Sequence, residues 1–151
     1  MKWLWIALGL LGLGIVAALI VPRVVSDDPA RWHVDPSTVE PSPRPNDYRV
    51  TGYDAVRFSV PAGEVAEALD ALILAMPRTR HIAGTDLWRS YVQRSAVFGF
   101  PDYLSFRVLE RGDGAVLGLY SRSRFGYSDW GVNKARVEGL LGALTRRLDE
   151  S

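Results

Sequence analysis

From Trp3 to Val21 the sequence WLWIALGLLGLGIVAALIV carries no charge and no strongly polar group, and it stops at Pro22-Arg23. At 1.5 Å per residue a helix over this run covers roughly 30 Å, the thickness of a bilayer's hydrocarbon core. A helix apolar on every side cannot rest on a soluble surface, so the run divides the chain into a transmembrane anchor (1–22), a tether (23–47) and a folded domain (48–151). Trp3 and Trp5 occupy places where interfacial indoles are favoured, with Lys2 on the near side. Val16-Ala17-Ala18 would suit a signal-peptide cleavage site, but the apolar run continues through Leu19, Ile20 and Val21, which favours an uncleaved anchor. The expectation is a single-pass membrane protein with its domain on the extracytoplasmic, periplasmic side. Lys2 faces Arg23 and Arg31 across the span, so the charge rule alone does not decide that side. Gly9, Gly12 and Gly14 would let another helix approach, although their spacing is not GxxxG.

The rest of the chain has room for one domain of about 100 residues. Its charges nearly cancel, 18 basic against 17 acidic, so no long-range field favours a polyanion, and no nucleic-acid partner is expected. Lys2 and Lys134 are the lysines; the other basic side chains are arginine, whose planar fork suits carboxylate and phosphate. Cysteine is absent, which excludes disulfides, thiolate catalysis and iron–sulfur ligation.

Residues 22–47 hold six of the nine prolines and show no apolar period, the pattern of a semi-extended tether. Within it, Trp32-His33-Val34-Asp35-Pro36 is a polar-aromatic island able to dock on the domain or lie at the headgroup surface. Val56, Phe58 and Val60 alternate with polar neighbours, so Tyr48 to Val60 reads as extended chain leading into a strand. Glu64 to Met76 carries Val65, Ala68, Leu69, Leu72 and Ile73 at helical spacing and ends at Pro77. Thr79–Gly84 and Leu87–Arg94 read as strands, followed by Val97-Phe98-Gly99-Phe100-Pro101-Asp102, a loop too aromatic to be freely solvated.

Tyr103–Arg111 and Ala115–Arg124 form the clearest hairpin, with Asp113-Gly114 expected as a type I′ turn that sets Arg107 opposite Tyr120 and Phe106 opposite Ser121. One face collects Leu104, Phe106, Val108, Leu117 and Leu119; the other collects Arg107, Arg111, Tyr120, Arg122 and Arg124. A final helix follows, capped by Ser128 or Asp129, with Val137, Leu140, Leu141, Leu144 and Leu148 on one stripe. The fold class expected is α+β: a two-layer sandwich of an antiparallel sheet with two amphipathic helices on one face, behind the transmembrane helix.

The segment Tyr120-Ser-Arg-Ser-Arg-Phe-Gly-Tyr-Ser-Asp-Trp-Gly-Val-Asn-Lys-Ala-Arg136 resembles the closing motif of the domain-of-unknown-function 1499 family. Phe98-Gly-Phe-Pro-Asp102 before a strand resembles that family's other signature. The matching positions are Phe98, Phe100, Asp102, Ser123, Arg124, Gly126, Asp129, Gly131, Asn133 and Arg136. The resemblance implies a bacterial-type domain preceded by hydrophobic segments, with no accepted activity.

Arg122 and Arg124 project from one strand face beside the N-terminus of the last helix, so the candidate anion-binding residues are Arg122, Arg124, Asp129, Asn133, Arg136 and Asp102. The alternative is a structural clasp, in which Asp102 and Asp129 pair with the arginines. Only His33 and His81 could serve as histidine bases, and no metal-ligand spacing occurs, so no catalytic residue, metal or cofactor is expected. The leading function is a non-enzymatic envelope domain binding a partner protein, an anionic small molecule or a lipid headgroup through the arginine face. The alternatives are an enzyme using Asp102, Asp129 and the arginines, and a structural subunit of a membrane complex. Oligomeric state is not legible in the residues.

Overall fold

The computed structural model describes residues 1–52 and 55–150. It is an α+β protein with a long apolar helix ahead of an antiparallel sheet and its helices. Helix α1 spans Lys2–Val24, about 34 Å of rise, and exposes its large apolar side chains on every side. This helix is long and apolar enough to cross a membrane. A single turn, α2 (Pro29–Trp32), begins where Asp28 accepts the Ala30 N–H at 3.0 Å.

The sheet is built from β1 (Asp47–Val50), β2 (Val56–Phe58), β3 (Thr79–Thr85), β4 (Trp88–Arg94), β5 (Pro101–Arg111) and β6 (Gly114–Ser123). Its order is β1-β6-β5-β4-β3, with β2 also pairing β6. Tyr53 and Asp54, inside the stretch read as extended chain, lie outside the described residues. Helices α3 (Ala62–Leu74) and α4 (Val132–Asp149) cover one face. There Val65, Leu69 and Ile73 of α3 and Val137, Leu140 and Leu144 of α4 meet Leu104, Phe106, Val108, Leu117 and Leu119 of the hairpin in one buried core. Burial of this apolar surface, roughly 25 cal/mol per Å², is what holds the helices to the sheet.

The hairpin register differs from the expected one. Arg111 pairs with Gly114, Arg107 with Gly118 and Phe106 with Leu119, so the turn is Gly112-Asp113 and every pairing is displaced by two residues. Gly112 stands at φ 60 in the first central position, the place a type II′ turn gives to glycine, whereas a type I′ turn needs positive φ at the second residue too. Because the displacement is even, each side chain keeps its face: Leu117 and Leu119 are buried, and Arg107 and Tyr120 share the opposite side.

That opposite side is covered by residues 26–46, the stretch read as a tether. Trp32 is buried with Tyr103 and Val92 in a second small core. The sheet is therefore packed on both faces, with helices on one and an irregular proline-bearing strap on the other.

Candidate functional site

The six candidate residues fall on two faces of the sheet. Asp102 pairs with Ser123 across β5 and β6, so its side chain turns toward the helices, whereas Arg122 pairs with Tyr103 and turns toward the strap.

On the helix face the arrangement is a filled junction. Arg136 of α4 donates to Asp102 Oδ2 at 2.7 Å, to Gln93 Oε1 at 2.8 Å and to Ser121 Oγ at 2.8 Å. Its side chain is 8% exposed. Asn133, fully buried, accepts from Ser121 at 2.6 Å and donates to Asn46 O and Ser123 Oγ, each at 3.0 Å. Asp129 takes the Gly131 and Asn133 backbone N–H groups at 3.0 and 2.8 Å. It is thus the group that satisfies the start of α4, as expected of Ser128 or Asp129. Burial opposes its ionisation, but the Asn133 and Gly131 backbone donors prevail and lower its carboxyl below the ordinary value. Arg136, Asn133 and Asp102 knit β5, β6 and α4 together while Asp129 closes the start of α4, so the junction is filled but its ion pair is Arg136–Asp102 and not a pairing of Asp102 and Asp129 with Arg122 and Arg124.

Arg122 and Arg124 meet the strap instead. Arg122 lies over the Trp32 ring, 4.7 Å from its centroid, and over Tyr120 at 5.4 Å. One of its amines donates to Arg31 O at 3.1 Å, while its buried Nε has no hydrogen-bond partner among the described residues. Burial depresses its basicity. Arg124 donates to Ser26 O at 2.7 Å and to the Tyr103 hydroxyl at 3.3 Å. Arg31, Trp32, Arg44, Arg122 and Arg124 line an open groove of about 340 Å³ between the strap and the end of β6.

Among the described residues Arg122 makes no ion pair, as is also true of Arg49, Arg57 and Arg111 of the sheet, whereas five other arginines do. Arg80 and Arg94 bind Asp27, Arg89 binds Glu67 and Asp70, Arg107 binds Asp35, and Arg136 binds Asp102. No ion pair of this kind involves Arg122, Arg124, Arg31 or Arg44 among the described residues.

Asp27 and Trp32 were not singled out by reasoning from the sequence as site residues. The Asp27 carboxylate, 3% exposed, takes Arg94 at 2.8 Å, Arg80, and the Tyr103 hydroxyl at 2.7 Å. Burial pushes its pKa up, but Tyr103 and Arg94 outweigh that and hold it below the ordinary carboxylate value. Tyr103 is in turn pushed up to about 12 by burial and by Asp27. His33 stacks on Trp88 with centroids 4.0 Å apart and contacts Ser90 Oγ at 2.8 Å. Its island, Trp32 to Pro36, was the visible signal that part of the strap docks.

A family model described as a protein of unknown function matches residues 23–144, strap and sheet together. The chain belongs to the DUF1499 family. No curated protein matches this DUF1499 chain. Among solved structures it resembles protein MLL2253 from Mesorhizobium loti at 14% identity and a TM-score of 0.50, over 64% of this chain and 96% of that one. CalU16 from Micromonospora echinospora matches at 16% identity and a TM-score of 0.40, over 64% of this chain and 78% of that one. The Mesorhizobium likeness is one of fold alone.

Proposed function

We propose that this DUF1499 chain is a single-pass, membrane-anchored binding domain, on the extracytoplasmic side, whose arginine groove takes an anionic group without catalysing a reaction on it. The observation that carries the reading is Arg122: a half-buried guanidinium whose enclosed Nε has no hydrogen-bond partner and which makes no ion pair among the described residues. A buried donor without a partner costs about 1–3 kcal/mol, and an oxyanion held by the outer N–H groups of the guanidinium would offset that cost with charge-assisted bonds. Arg31, Arg44 and Arg124 line the same groove, and with Glu40 as the carboxylate in that lining the balance stays positive. The groove adjoins Ser26, two positions past the end of α1, which favours a phosphate-bearing lipid headgroup as the source of the anion. Asp102 and Asp129, which an acid–base reading would use, lie with Arg136 and Asn133 against α4.

The test is calorimetric titration of the detergent-solubilised full chain with glycerol 3-phosphate and with inorganic phosphate, alongside co-sedimentation with phosphatidylglycerol vesicles. Arg122→Gln should remove binding and leave the circular dichroism unchanged. Binding to the soluble anions but not to vesicle-borne headgroups would assign a free small molecule; undiminished binding by Arg122→Gln would overturn the groove. Protease protection of the domain in right-side-out membrane vesicles would overturn the sidedness.

A further inference from the structure

The loop Ser95–Phe100 leaves its large apolar side chains in the open. Val97 is 67% exposed and Phe98 45%, and the loop after β6 adds Tyr127 at 73% and Trp130 at 94%. Such a patch costs free energy in water and marks a contact surface. Three observations say what covers it.

The first is depth. The Arg23 guanidinium donates both to Leu19 O in the last turn of α1 and to Val97 O in the loop. Arg94 donates to Pro22 O and, at 3.2 Å, to Gly99 O, so the loop is fastened alongside the end of the helix. If Trp3–Val21 fills the roughly 30 Å hydrocarbon core, Leu19 to Arg23 lies at its boundary, and Val97 lies at the same level.

The second is continuity. Phe98 and Phe100 have ring centroids 5.5 Å apart, and Phe100 and Phe125 5.8 Å, so the two loops form one aromatic ridge. Asp102 pairs with Ser123, which places both loops at the same end of the sheet.

The third is the surrounding charge. One groove beside the ridge is lined by Arg23, Arg78, Arg80 and Arg94, and the other by Arg31, Arg44, Arg122 and Arg124. Aromatic side chains flanked by arginine match the chemistry of the interfacial zone, with rings among the carbonyls and guanidinium groups at the phosphates.

We infer that the ridge of Val97, Phe98, Phe100 and Phe125, together with the exposed Tyr127 and Trp130 of the second loop, is a second membrane contact, dipping into the headgroup region of the bilayer that holds α1. This inference rests on the anchor reading of α1. It gives the sheet an attitude: β5 leaves the membrane surface at Pro101, and its hairpin tip at Gly112-Asp113 lies roughly 33 Å further along the strand, at the end away from the bilayer. The arginine groove then opens at phosphate height. Trp130, a bulky residue held at φ 56, is turned outward at a backbone position that side chains rarely adopt.

The cysteine-free chain permits single labels without background. Leu11→Cys, Ala96→Cys, Ser128→Cys and Asp113→Cys, each carrying a nitroxide, would be reconstituted as the full chain in phosphatidylethanolamine–phosphatidylglycerol vesicles. Power saturation with oxygen and a water-soluble nickel chelate reads each depth. Leu11 should be deep, Ala96 and Ser128 at the interface with nickel accessibility reduced at least threefold relative to Asp113, and Asp113 fully aqueous. Leu11 deep with Ala96 and Ser128 as aqueous as Asp113 would overturn the ridge and leave the anchor standing. Leu11 aqueous would overturn both. Adding Phe98→Ser and Trp130→Ser, whose side chains support no core, should raise nickel accessibility at Ala96 and Ser128 while Leu11 stays deep; no change would also overturn the ridge.

Discussion

Trp32 lies flat on Tyr103, with ring centroids 3.8 Å apart and planes inclined by 8°. The residues are separated by most of the fold, one at the end of a single helical turn and the other in the central strand β5. Their contact makes the proline-bearing segment a layer of the domain. Trp32 is 5% exposed, so Trp32→Ala should destabilise the chain by about 3–5 kcal/mol, seen as a lower denaturant midpoint. A loss below about 1 kcal/mol would mean that the strap is not part of the cooperative unit.

Arg136 and Arg122 should answer oppositely to mutation. Removing Arg136 strands Asp102, Ser121 and Gln93 in a closed junction, so Arg136→Met should cost about 3 kcal/mol. Arg122→Met keeps an unbranched chain over Trp32 and Tyr120 and removes a half-buried charge that makes no ion pair among the described residues, so stability should stay within about 1 kcal/mol of wild type. Urea unfolding of both variants measures the contrast, and equal losses would refute it.

Strap docking should weaken in two steps on acidification. Burial and the nearby His81 hold the His33 imidazole below its ordinary 6.5, so just below that pH the unfolded chain binds the extra proton more readily than the folded one. The stability associated with a neutral His33 is complete above 6.5 and declines as pH falls through the depressed value. Asp27 acts lower down: its carboxylate is held below 3.8, so its contribution is complete above 3.8 and disappears as pH falls through the folded value. Melting temperature against pH should show both declines, and His33→Gln should abolish the upper one alone.

Gly84 lies where His33 of the strap presses on the sheet. Its φ is 88, and a Cβ there would stand 2.1 Å from Trp88 O and 2.8 Å from His33 Cε1. Gly84→Ala should therefore destabilise by more than about 1 kcal/mol and displace His33 from Trp88, visible as a changed histidine chemical shift. An unaltered shift together with full stability would show that the strap sits elsewhere.

Local pattern carried much of this architecture. The uninterrupted apolar run Trp3 to Val21 specified a helix long enough to span a membrane, and a period near 3.6 in Val65, Leu69 and Ile73 specified α3 and its buried stripe. Alternation in Leu104, Phe106 and Val108 fixed which side of the hairpin is apolar, because side-chain direction repeats every second residue. That same period is blind to an even shift, which is why the turn at Gly112-Asp113 rather than Asp113-Gly114 could be found only in the paired strands.

Partner choice among the arginines was decided by the tertiary structure. Arg94 with Asp27, Arg107 with Asp35 and Arg136 with Asp102 join positions distant in the chain, and periodicity cannot rank one distant carboxylate above another. The candidate residues looked like one cluster in the sequence because Arg122, Arg124, Asp129, Asn133 and Arg136 are neighbours along it. A pleated strand sends adjacent residues to opposite faces, so Ser121 and Ser123 join Asn133 under α4 while Arg122 remains with Trp32 on the other side. The strap itself has no apolar period to announce its docking. Its place was set by single side chains, Trp32, His33 and Asp27, finding shape and charge complements on a sheet face that exists only once the strands have paired.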